Sequence, residues 1–183
     1  MLKNIFIHNK LFDKTSKYRQ NVGIIIMNEK KIWSGHRIDR PSDDEFAWQI
    51  PQGGIDENED ILTASYREIL EEAGIKSDKL ELIKIFPRTT KYIFPKDVIK
   101  TINKKNKFAG YNGVYFKGQE QHWVVFKFVG TDNDINLKAT NEMQEFDRWQ
   151  WSDAEFLLSH CVDFKRKVYK KVFSWLKKLN LEN

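Results

Sequence analysis

The segment from Gly53 to Ile75, GGIDENEDILTASYREILEEAGI, constrains this chain more than any other part of the sequence. On a helix, Glu68, Glu71 and Glu72 are spaced i, i+3 and i+4, so they project from one face. A glutamate-rich helix face is commonly just a solvated surface. Carboxylates this close repel each other, however, and Mg²⁺ relieves that repulsion because it binds carboxylate oxygens while sharing its shell with phosphates. The segment therefore predicts a metal-binding helix that follows a glycine turn.

The flanking residues predict where this helix begins and ends. Gly53 and Gly54 follow Pro51, and they form a turn whose backbone can approach a ligand, so that the Gly53 carbonyl oxygen can itself bind metal. Asn58 is the predicted N-cap, and Gly74 is the predicted C-terminal stop. An apolar stripe at helical spacing lies on another face and anchors the helix: Leu62, Tyr66, Ile69 and Ala73.

Strand signals precede and follow this segment. The apolar run Val22–Met27, the polar turn Asn28–Lys31 and the following Ile32–Trp33 predict a hairpin. Three further stretches read as strands: Leu80–Phe86, His122–Val129 and Arg148–Trp151.

The C-terminal part predicts one more helix. Apolar residues there recur at helical spacing with Lys and Arg between them, whereas the polar, glycine-containing stretch Lys96–Lys117 predicts a loop. Strands and helices interleave without a regular repeat, so we expect a single α/β sandwich with a mixed sheet between helices. Residues 18–183 would form this domain and residues 1–17 an N-terminal extension. The helical stripe consists of Phe164, Val168, Val172, Trp175 and Leu179.

Composition narrows the class of protein. A chain of 183 residues with 40% hydrophobic and 14% aromatic residues can bury a real core. Its net charge of +5 favours an acidic partner, although an ordinary soluble surface explains mild basicity equally well.

The cysteine count and the apolar runs predict a cytoplasmic protein. Cys161 is the one cysteine, so no internal disulfide can form, and this suits a reducing compartment. No apolar run approaches the ~20 residues of a membrane span. Lys3, Asn4 and His8 interrupt the start of the chain before a signal-like apolar run develops.

The whole Gly53–Ile75 segment resembles the Nudix box, G-x5-E-x7-R-E-U-x-E-E-x-G-U, in which U is an aliphatic residue. Every fixed position is filled in register, and no catalytic position departs from the pattern. The resemblance identifies the chain as a Nudix hydrolase and implies an α/β/α sandwich with a mixed sheet. The residues that fill the fixed positions are Gly53, Glu59, Arg67, Glu68, Ile69, Glu71, Glu72, Gly74 and Ile75.

Motifs outside the box narrow the resemblance to one branch of the family. The segment Tyr18–Gly23, YRQNVG, resembles the YRPNVG opening of bacterial RNA pyrophosphohydrolases and their dinucleoside polyphosphate hydrolase relatives. Trp48–Gly54, WQIPQGG, resembles their WQ-(F/M)-PQGG segment. Further matches occur in the family's order: Tyr92 and Pro95, Gly118–Trp123, Glu145–Trp151 and Phe164–Tyr169.

The chain departs from this branch at three places. Gln20 replaces the proline of YRPNVG, and the segments Ile38–Phe46 and Lys96–Tyr115 are longer than in the best-known member. These segments border the expected substrate cleft. The preferred substrate therefore stays open, whereas the expected hydrolytic chemistry is unaffected.

The resemblance implies roles for the acidic residues and their neighbours. Glu68, Glu71 and Glu72 would hold Mg²⁺, or another divalent cation such as Mn²⁺, together with the Gly53 carbonyl and with Glu145 from outside the box. Either Glu68 or Glu145 would take the proton of the attacking water. Arg67, paired with Glu59, would brace the glycine loop against the helix.

The same resemblance implies a nucleotide-binding set. Phe164 and Arg37 would sandwich the first base, with His36 as a competitor for the position of Arg37 and core packing as the alternative for Phe164. Stacking on aromatic and guanidinium faces is how single-stranded RNA is usually held. Phosphate or second-nucleotide contacts would come from four further residues, each of which could instead be an ordinary solvated or structural side chain: Arg19, Tyr92, Gln119 and Lys165.

Three functions follow from these patterns. The favoured one is an RNA pyrophosphohydrolase that acts on 5′-triphosphorylated RNA and so initiates mRNA decay. The second is a hydrolase of dinucleoside polyphosphates such as diadenosine tetra- and pentaphosphate. The third is a non-catalytic nucleotide-binding module, which is disfavoured because such modules usually lose box carboxylates and here all are present.

Overall fold

The computed structural model describes residues 16–104, 116–140 and 143–179, with the backbone alone for 101–104. Most of the predicted N-terminal extension, residues 1–15, lies outside the described residues. The first strand begins at Tyr18, where the predicted domain begins.

Eight strands and four helices make up the described chain. The strands are β1 (Tyr18–Asn28), β2 (Lys31–Arg37), β3 (Trp48–Gln49), β4 (Gln52–Gly54), β5 (Leu80–Ile85), β6 (Thr90–Ile93), β7 (Gly118–Phe128) and β8 (Phe146–Ser152). The helices are α1 (Ile61–Ala73), α2 (Lys96–Lys104), α3 (Ala154–His160) and α4 (Asp163–Leu176). None of the described helices is long and apolar enough to cross a membrane.

The strands form one mixed sheet in the order β3-β2-β1-β7-β5. Strand β4 also pairs with β1, β6 with β7, and β8 with β2. Strands β1 and β7 run parallel, in register from Tyr18 opposite Gly118 to Met27 opposite Lys127. The other described pairs are antiparallel. The predicted mixed sheet is therefore confirmed.

Side chains of β1 alternate between two cores, one on each face of the sheet. Ile24 belongs to the core that contains Ile69 of α1. Ile25 belongs to the other core, with Val168 and Val172 of α4. Because both faces of the strand are covered, its sequence is a continuous apolar run instead of an alternating one. The α/β/α sandwich is confirmed, with α1 on one face and α3 and α4 on the other.

The predicted hairpin and the predicted C-terminal helix are also confirmed. Met27 pairs with Ile32 and Asn28 with Lys31 across the turn that joins β1 to β2. Helix α4 covers most of the predicted stripe, and its Val172 is fully buried.

Two local predictions were wrong. The helix α1 is capped by Asp60, whose carboxylate accepts from the backbone N–H groups of Leu62 and Thr63 at 2.8 and 3.0 Å. Asn58 lies upstream with a positive φ of 70°. The stretch predicted as a loop from Lys96 begins as helix α2, since Val98 and Ile99 pack against the α4-side core. Residues 105–115 of that stretch lie outside the described residues.

Candidate functional site

The glycine strand β4 lies directly against the acidic face of α1. A methyl group at Gly53 would fall 1.7 Å from Cδ of Glu68, so the carboxylate of Glu68 occupies the space that a side chain at position 53 would need. One residue earlier, the backbone N–H of Gln52 donates to Oε2 of Glu72 at 2.9 Å. Strand β4 therefore leaves room for the Glu68 carboxylate at Gly53 and holds the Glu72 carboxylate through the backbone N–H of Gln52.

Burial makes these carboxylates electrostatically unfavourable in their charged form. Burial raises the pKa of Glu68 to about 7, against the hydrogen bond and positive charge of Arg67. Burial also raises the pKa of Glu72 well above its usual range, and the nearby charges of Glu145 and Glu68 add to that shift. A divalent cation at this place would reverse the shifts, since a bound cation is the dominant local charge.

Arg67 ties the glycine turn to the helix. Its Nε and Nη2 donate to the two carboxylate oxygens of Glu59 at 2.9 and 2.8 Å, and Nη2 also donates to the carbonyl of Gly54 at 2.8 Å. Its Nη1 donates to Glu68 at 2.7 Å and to Glu71 at 3.3 Å. These contacts are those that a bracing residue would make, and its role in the reaction stays a prediction.

Replacing Arg67 by alanine should therefore lower stability as well as activity. The hydrogen bonds that this removes all join charged or carbonyl groups, and such bonds are worth about 1.5–3 kcal/mol each. We expect a net loss of about 2 kcal/mol, which is ~4–8 °C in melting temperature for a chain of this size. Thermal unfolding and turnover should be measured on the same preparations.

The matched control for this test is Arg88→Ala, because Arg88 is exposed and forms no ion pair within the described part of the chain. It should melt like the parent protein. If Arg67→Ala also kept the parent's melting temperature while losing turnover, the bracing role would be refuted and Arg67 would belong to the reaction itself.

Glu145 lies just before β8 and meets the end of β2. Its Oε2 accepts from Nη1 of Arg37 at 2.6 Å, and its carbonyl accepts from the N–H of Ile38 at 2.9 Å. Arg37 also donates to both carboxylate oxygens of Asp39 at 2.8 Å. Burial opposes the charge of Arg37, but these two carboxylates outweigh it and raise its pKa. Glu145 is thus paired with Arg37, and its charge also contributes to the raised pKa of Glu72, while its role as a metal ligand stays a prediction.

His36 is fully buried, so it is excluded as the alternative to Arg37. Its Nδ1 lies 3.1 Å from Oδ1 of Asp147, and its Nε2 lies 3.3 Å from the carbonyl of Asp44. Its ring also packs edge-on against Trp48. Such a ring cannot stack on a base, because polar and aromatic neighbours hold it inside the protein.

Three of the predicted nucleotide-binding residues form one row across the sheet. Arg19 of β1 is opposite Gln119 of β7, and Gln119 is opposite Tyr92 of β6. The Tyr92 hydroxyl donates to the Gln119 side chain. The guanidinium of Arg19 lies over β4, where a methyl group at Gly54 would fall 2.0 Å from its Nη2. The three residues therefore lie in one row, of which Arg19 reaches the glycine strand, and their role in substrate binding stays a prediction.

The remaining two predicted nucleotide-binding residues begin α4. The ring of Phe164 packs against that of Tyr92, with centroids 5.5 Å apart. Lys165 is buried, and its Nζ donates to Oε1 of Gln49 at 2.6 Å. Burial lowers the pKa of Lys165 to about 8. Lys165 is therefore an interior residue of the site, where the sequence alone suggested either a phosphate contact or a solvated charge.

Sequence reasoning missed a buried polar network that lies beside this row. Nε2 of Gln121 donates to Oδ1 of Asn21 at 3.0 Å and to Oε1 of Gln52 at 3.2 Å. Nδ2 of Asn21 and Nε2 of Gln49 are buried without a hydrogen-bond partner among the described residues. The sequence did contain a sign of this network. Its Asn and Gln residues lie inside the family motifs, at strand positions where a buried strand would otherwise carry apolar side chains.

The donor set fits a hard divalent cation, since it consists of carboxylate oxygens and one carbonyl. Within residues 16–104, 116–140 and 143–179, no three acidic, histidine or cysteine side chains are already gathered as a metal-binding group. Arg67 forms ion pairs with Glu68 and Glu71, and Arg37 forms an ion pair with Glu145. A cation would therefore compete with these two guanidinium groups for the carboxylates.

Comparison with known proteins identifies the family. Residues 17–175 match the NUDIX domain family, and the chain belongs to the Nudix hydrolases, which generally use divalent cations. An RNA pyrophosphohydrolase of Pelagibacter ubique (strain HTCC1062) is 40% identical over 162 residues, which cover 88% of this chain and 92% of the relative. Nudix hydrolase 26, chloroplastic, of Arabidopsis thaliana is 42% identical over 159 residues, covering 86% of this chain and 68% of the relative.

Solved structures share the fold at much lower identity. The E. coli dihydroneopterin triphosphate pyrophosphohydrolase superposes with a TM-score of 0.59 at 20% identity, covering 84% of this chain and 95% of that one. A C. elegans Ap4A hydrolase binary complex superposes with a TM-score of 0.54 at 17% identity, covering 86% and 98%. These likenesses confirm the Nudix fold.

Proposed function

We propose that this protein is an RNA pyrophosphohydrolase, which removes pyrophosphate from the 5′-triphosphate end of RNA in the cytoplasm and so initiates mRNA decay. The observation that carries the proposal is the packing of the buried Glu68 and Glu72 of α1 against the glycine strand, in a chain that covers 92% and 89% of two bacterial relatives of that name. Residues 18–183 form the catalytic domain of this proposal, and residues 1–17 are an extension to it.

The acidic residues would hold Mg²⁺, or another divalent cation such as Mn²⁺. The ligands would be Glu68, Glu71, Glu72, Glu145 and the carbonyl of Gly53. When bound, such a cation neutralises phosphate oxygens and lowers the pKa of water. Glu68 and Glu145 are the two candidates for accepting the proton of the attacking water. The backbone N–H of Gln52 holds the Glu72 carboxylate in place during this step.

The residues around the acidic cluster would orient the substrate. Arg19 lies over β4, from where it can donate to phosphate oxygens. The hydrogen-bonded pair Tyr92–Gln119 would line the substrate site next to it. Phe164 would offer a ring on which the first base can stack, and the guanidinium of Arg37 would take the other face of that base. Lys165 supplies positive charge from inside the site. In this proposal the triphosphate would lie near the carboxylates and the base near α4.

The direct test compares two substrates in the presence of Mg²⁺. Pyrophosphate release from 5′-triphosphorylated RNA should have a higher kcat/KM than the hydrolysis of diadenosine tetraphosphate. The same carboxylates could act on either phosphate chain, so the relative rates decide between them. A clear preference for diadenosine tetraphosphate would replace the proposal with a dinucleoside polyphosphate hydrolase, and binding without turnover would indicate a nucleotide-binding module.

The variant Phe164→Leu tests the base-binding part of the site. Leucine keeps an apolar contact with Tyr92 but cannot stack on a base, and stacking on an aromatic ring is worth about 1–3 kcal/mol per base. We expect KM for triphosphorylated RNA to rise at least ~5-fold, while kcat changes much less. Steady-state kinetics on both substrates would measure this effect.

A matched control is Phe86→Leu, since Phe86 is a half-buried aromatic residue that packs against Trp175 and lies outside the proposed site. Its KM should equal that of the parent protein. Equal KM values for Phe164→Leu and the parent would show that Phe164 only packs in the core.

A further inference from the structure

The C-terminal helix and the turn after it are strongly basic. Residues 163–179, which are α4 and the turn after it, contain seven Lys and Arg residues against the single acidic residue Asp163, a net charge of +6. The whole chain carries +5, so the remaining residues together carry −1. This segment is therefore one of the most basic of the chain, together with residues 96–117, which contain six lysines against the single acidic residue Asp97.

Five exposed lysines of the segment, three on α4 and two on the turn after it, follow one stripe at helical spacing, and we call them the α4 lysine face. They are spaced three, four, seven and eight residues apart, and these spacings place them along one stripe of a helix. The opposite side of α4 is buried in the core through Val168, Tyr169 and Val172. Like charges at spacings of three and four residues destabilise a helix. The α4 lysine face consists of Lys167, Lys170, Lys171, Lys177 and Lys178.

No acidic side chain of the described residues neutralises this face. None of its lysines forms an ion pair with another residue in the described ranges of the chain, and Asp163 pairs with Arg166 at 3.0 Å. Lys171 lies over the ring of Trp175, with Nζ 5.2 Å from the centroid, which leaves its charge in place. A polyanion would relieve the repulsion that the helix itself does not relieve.

The α4 lysine face begins beside the proposed active site. Phe164 and Lys165 at the start of α4 contact Tyr92 and Gln49. With a rise of 1.5 Å per residue, the 14 residues of α4 extend about 21 Å from there. A chain whose 5′ end occupied the site would therefore have this line of positive charge within reach.

We propose that the α4 lysine face binds the phosphodiester backbone of RNA downstream of the 5′ end. This inference rests on the proposed function, and it adds a second contact region to that reaction. A membrane surface fits the face less well, because an amphipathic helix binds lipid through its apolar side. In α4 that side is already buried against the sheet.

The test neutralises part of the face without touching the site. In the triple variant Lys167→Gln, Lys170→Gln and Lys177→Gln, helix propensity is preserved because Gln and Lys rank closely. The control is the triple variant Lys76→Gln, Lys84→Gln and Lys127→Gln, which removes the same charge from exposed positions elsewhere.

Two measurements are needed. The first is the affinity for a single-stranded 5′-hydroxyl RNA of twelve or so nucleotides as a function of salt, since this probe cannot be hydrolysed at a triphosphate. We expect the α4 variant to bind ~10-fold more weakly at low salt. The slope of log affinity against log salt should become shallower by about 2, because each phosphate that a lysine neutralises adds ~0.7 to the slope for single strands. The second is kcat/KM on a triphosphorylated dinucleotide, which should stay at the parent value.

The outcomes separate this inference from the proposed function. Equal losses of affinity for the α4 variant and the control would mean that only net charge matters, and this would overturn the inference. Unchanged RNA affinity of the α4 variant would overturn it as well, even with full activity on triphosphorylated RNA. Selective loss of binding to phosphatidylglycerol vesicles, with RNA affinity kept, would assign the face to a membrane. A parent protein that does not hydrolyse triphosphorylated RNA would refute the proposed function, whatever the lysines bind.

Discussion

Replacing Glu72 by glutamine should lower turnover about 10²-fold or more, because it removes a charged metal ligand without changing the size of the side chain. A bound cation contributes several kcal/mol to transition-state stabilisation, and about 2.7 kcal/mol corresponds to that factor. Folding should be intact, since the glutamine oxygen can still accept from the backbone N–H of Gln52. Steady-state rates at saturating Mg²⁺ measure the effect, and Glu71→Gln should change activity in the same direction.

The same variant has a second readout that does not depend on turnover. Burial disfavours the charged form of Glu72, so the metal-free Glu72→Gln protein should melt at or above the temperature of the metal-free parent. The rise in melting temperature that Mg²⁺ gives the parent should shrink. Glu81→Gln is the control, because Glu81 is an exposed carboxylate on β5. Near-parent turnover of Glu72→Gln at saturating Mg²⁺ would disprove metal binding by this face of α1.

The sequence predicted the parts of the site that depend on short-range order. The spacing of Glu68, Glu71 and Glu72 defines a helix face whatever the rest of the fold does. The prediction that α1 ends at Gly74 also depended on local sequence. Gly74 has a positive φ of 64°, and its N–H donates to the carbonyl of Leu70. The apolar run in β1 predicted a strand, because a buried strand needs apolar residues on both faces.

Residues whose environment depends on distant parts of the chain could not be predicted in this way. The partner of Gln121 is Asn21, which lies 100 residues earlier, and the two meet only because β1 and β7 pair in parallel. Lys165 is buried because α4 packs its first turn against Gln49, 116 residues away. A lysine on a helix gives no local sign of such burial.

The N-terminal cap of α1 shows how two acceptable local choices are resolved. Asn58 and Asp60 are both good N-cap residues. Asp60 is the N-cap because the turn before the helix is already fixed by other hydrogen bonds. There the carboxylate of Glu59 accepts from the backbone N–H of Asp56 at 3.0 Å while it also binds Arg67. The helix can therefore begin only after Glu59.

Replacing Gly53 by alanine should lower turnover about 10²-fold while changing stability little. The backbone of Gly53 has no positive φ, so alanine fits its conformation. The added methyl group would lie 1.7 Å from Cδ of Glu68 and 1.9 Å from both of its carboxylate oxygens, and this carboxylate must move. The end of a flexible side chain moves at small cost to the fold, whereas displacing a catalytic group by about 1 Å can cost 10²-fold in rate.

Two other glycines separate this effect from a general effect of added methyl groups. Gly130→Ala adds a methyl near Asp134 and Phe128, remote from the acidic face, and should keep the parent's turnover. Gly35→Ala places a methyl 2.4 Å from the buried ring of Phe146, and it should lower the melting temperature because the ring cannot move freely in a packed core. If Gly53→Ala instead melted like Gly35→Ala, or kept full turnover, the close packing of Gly53 on Glu68 would not be what positions this carboxylate for catalysis.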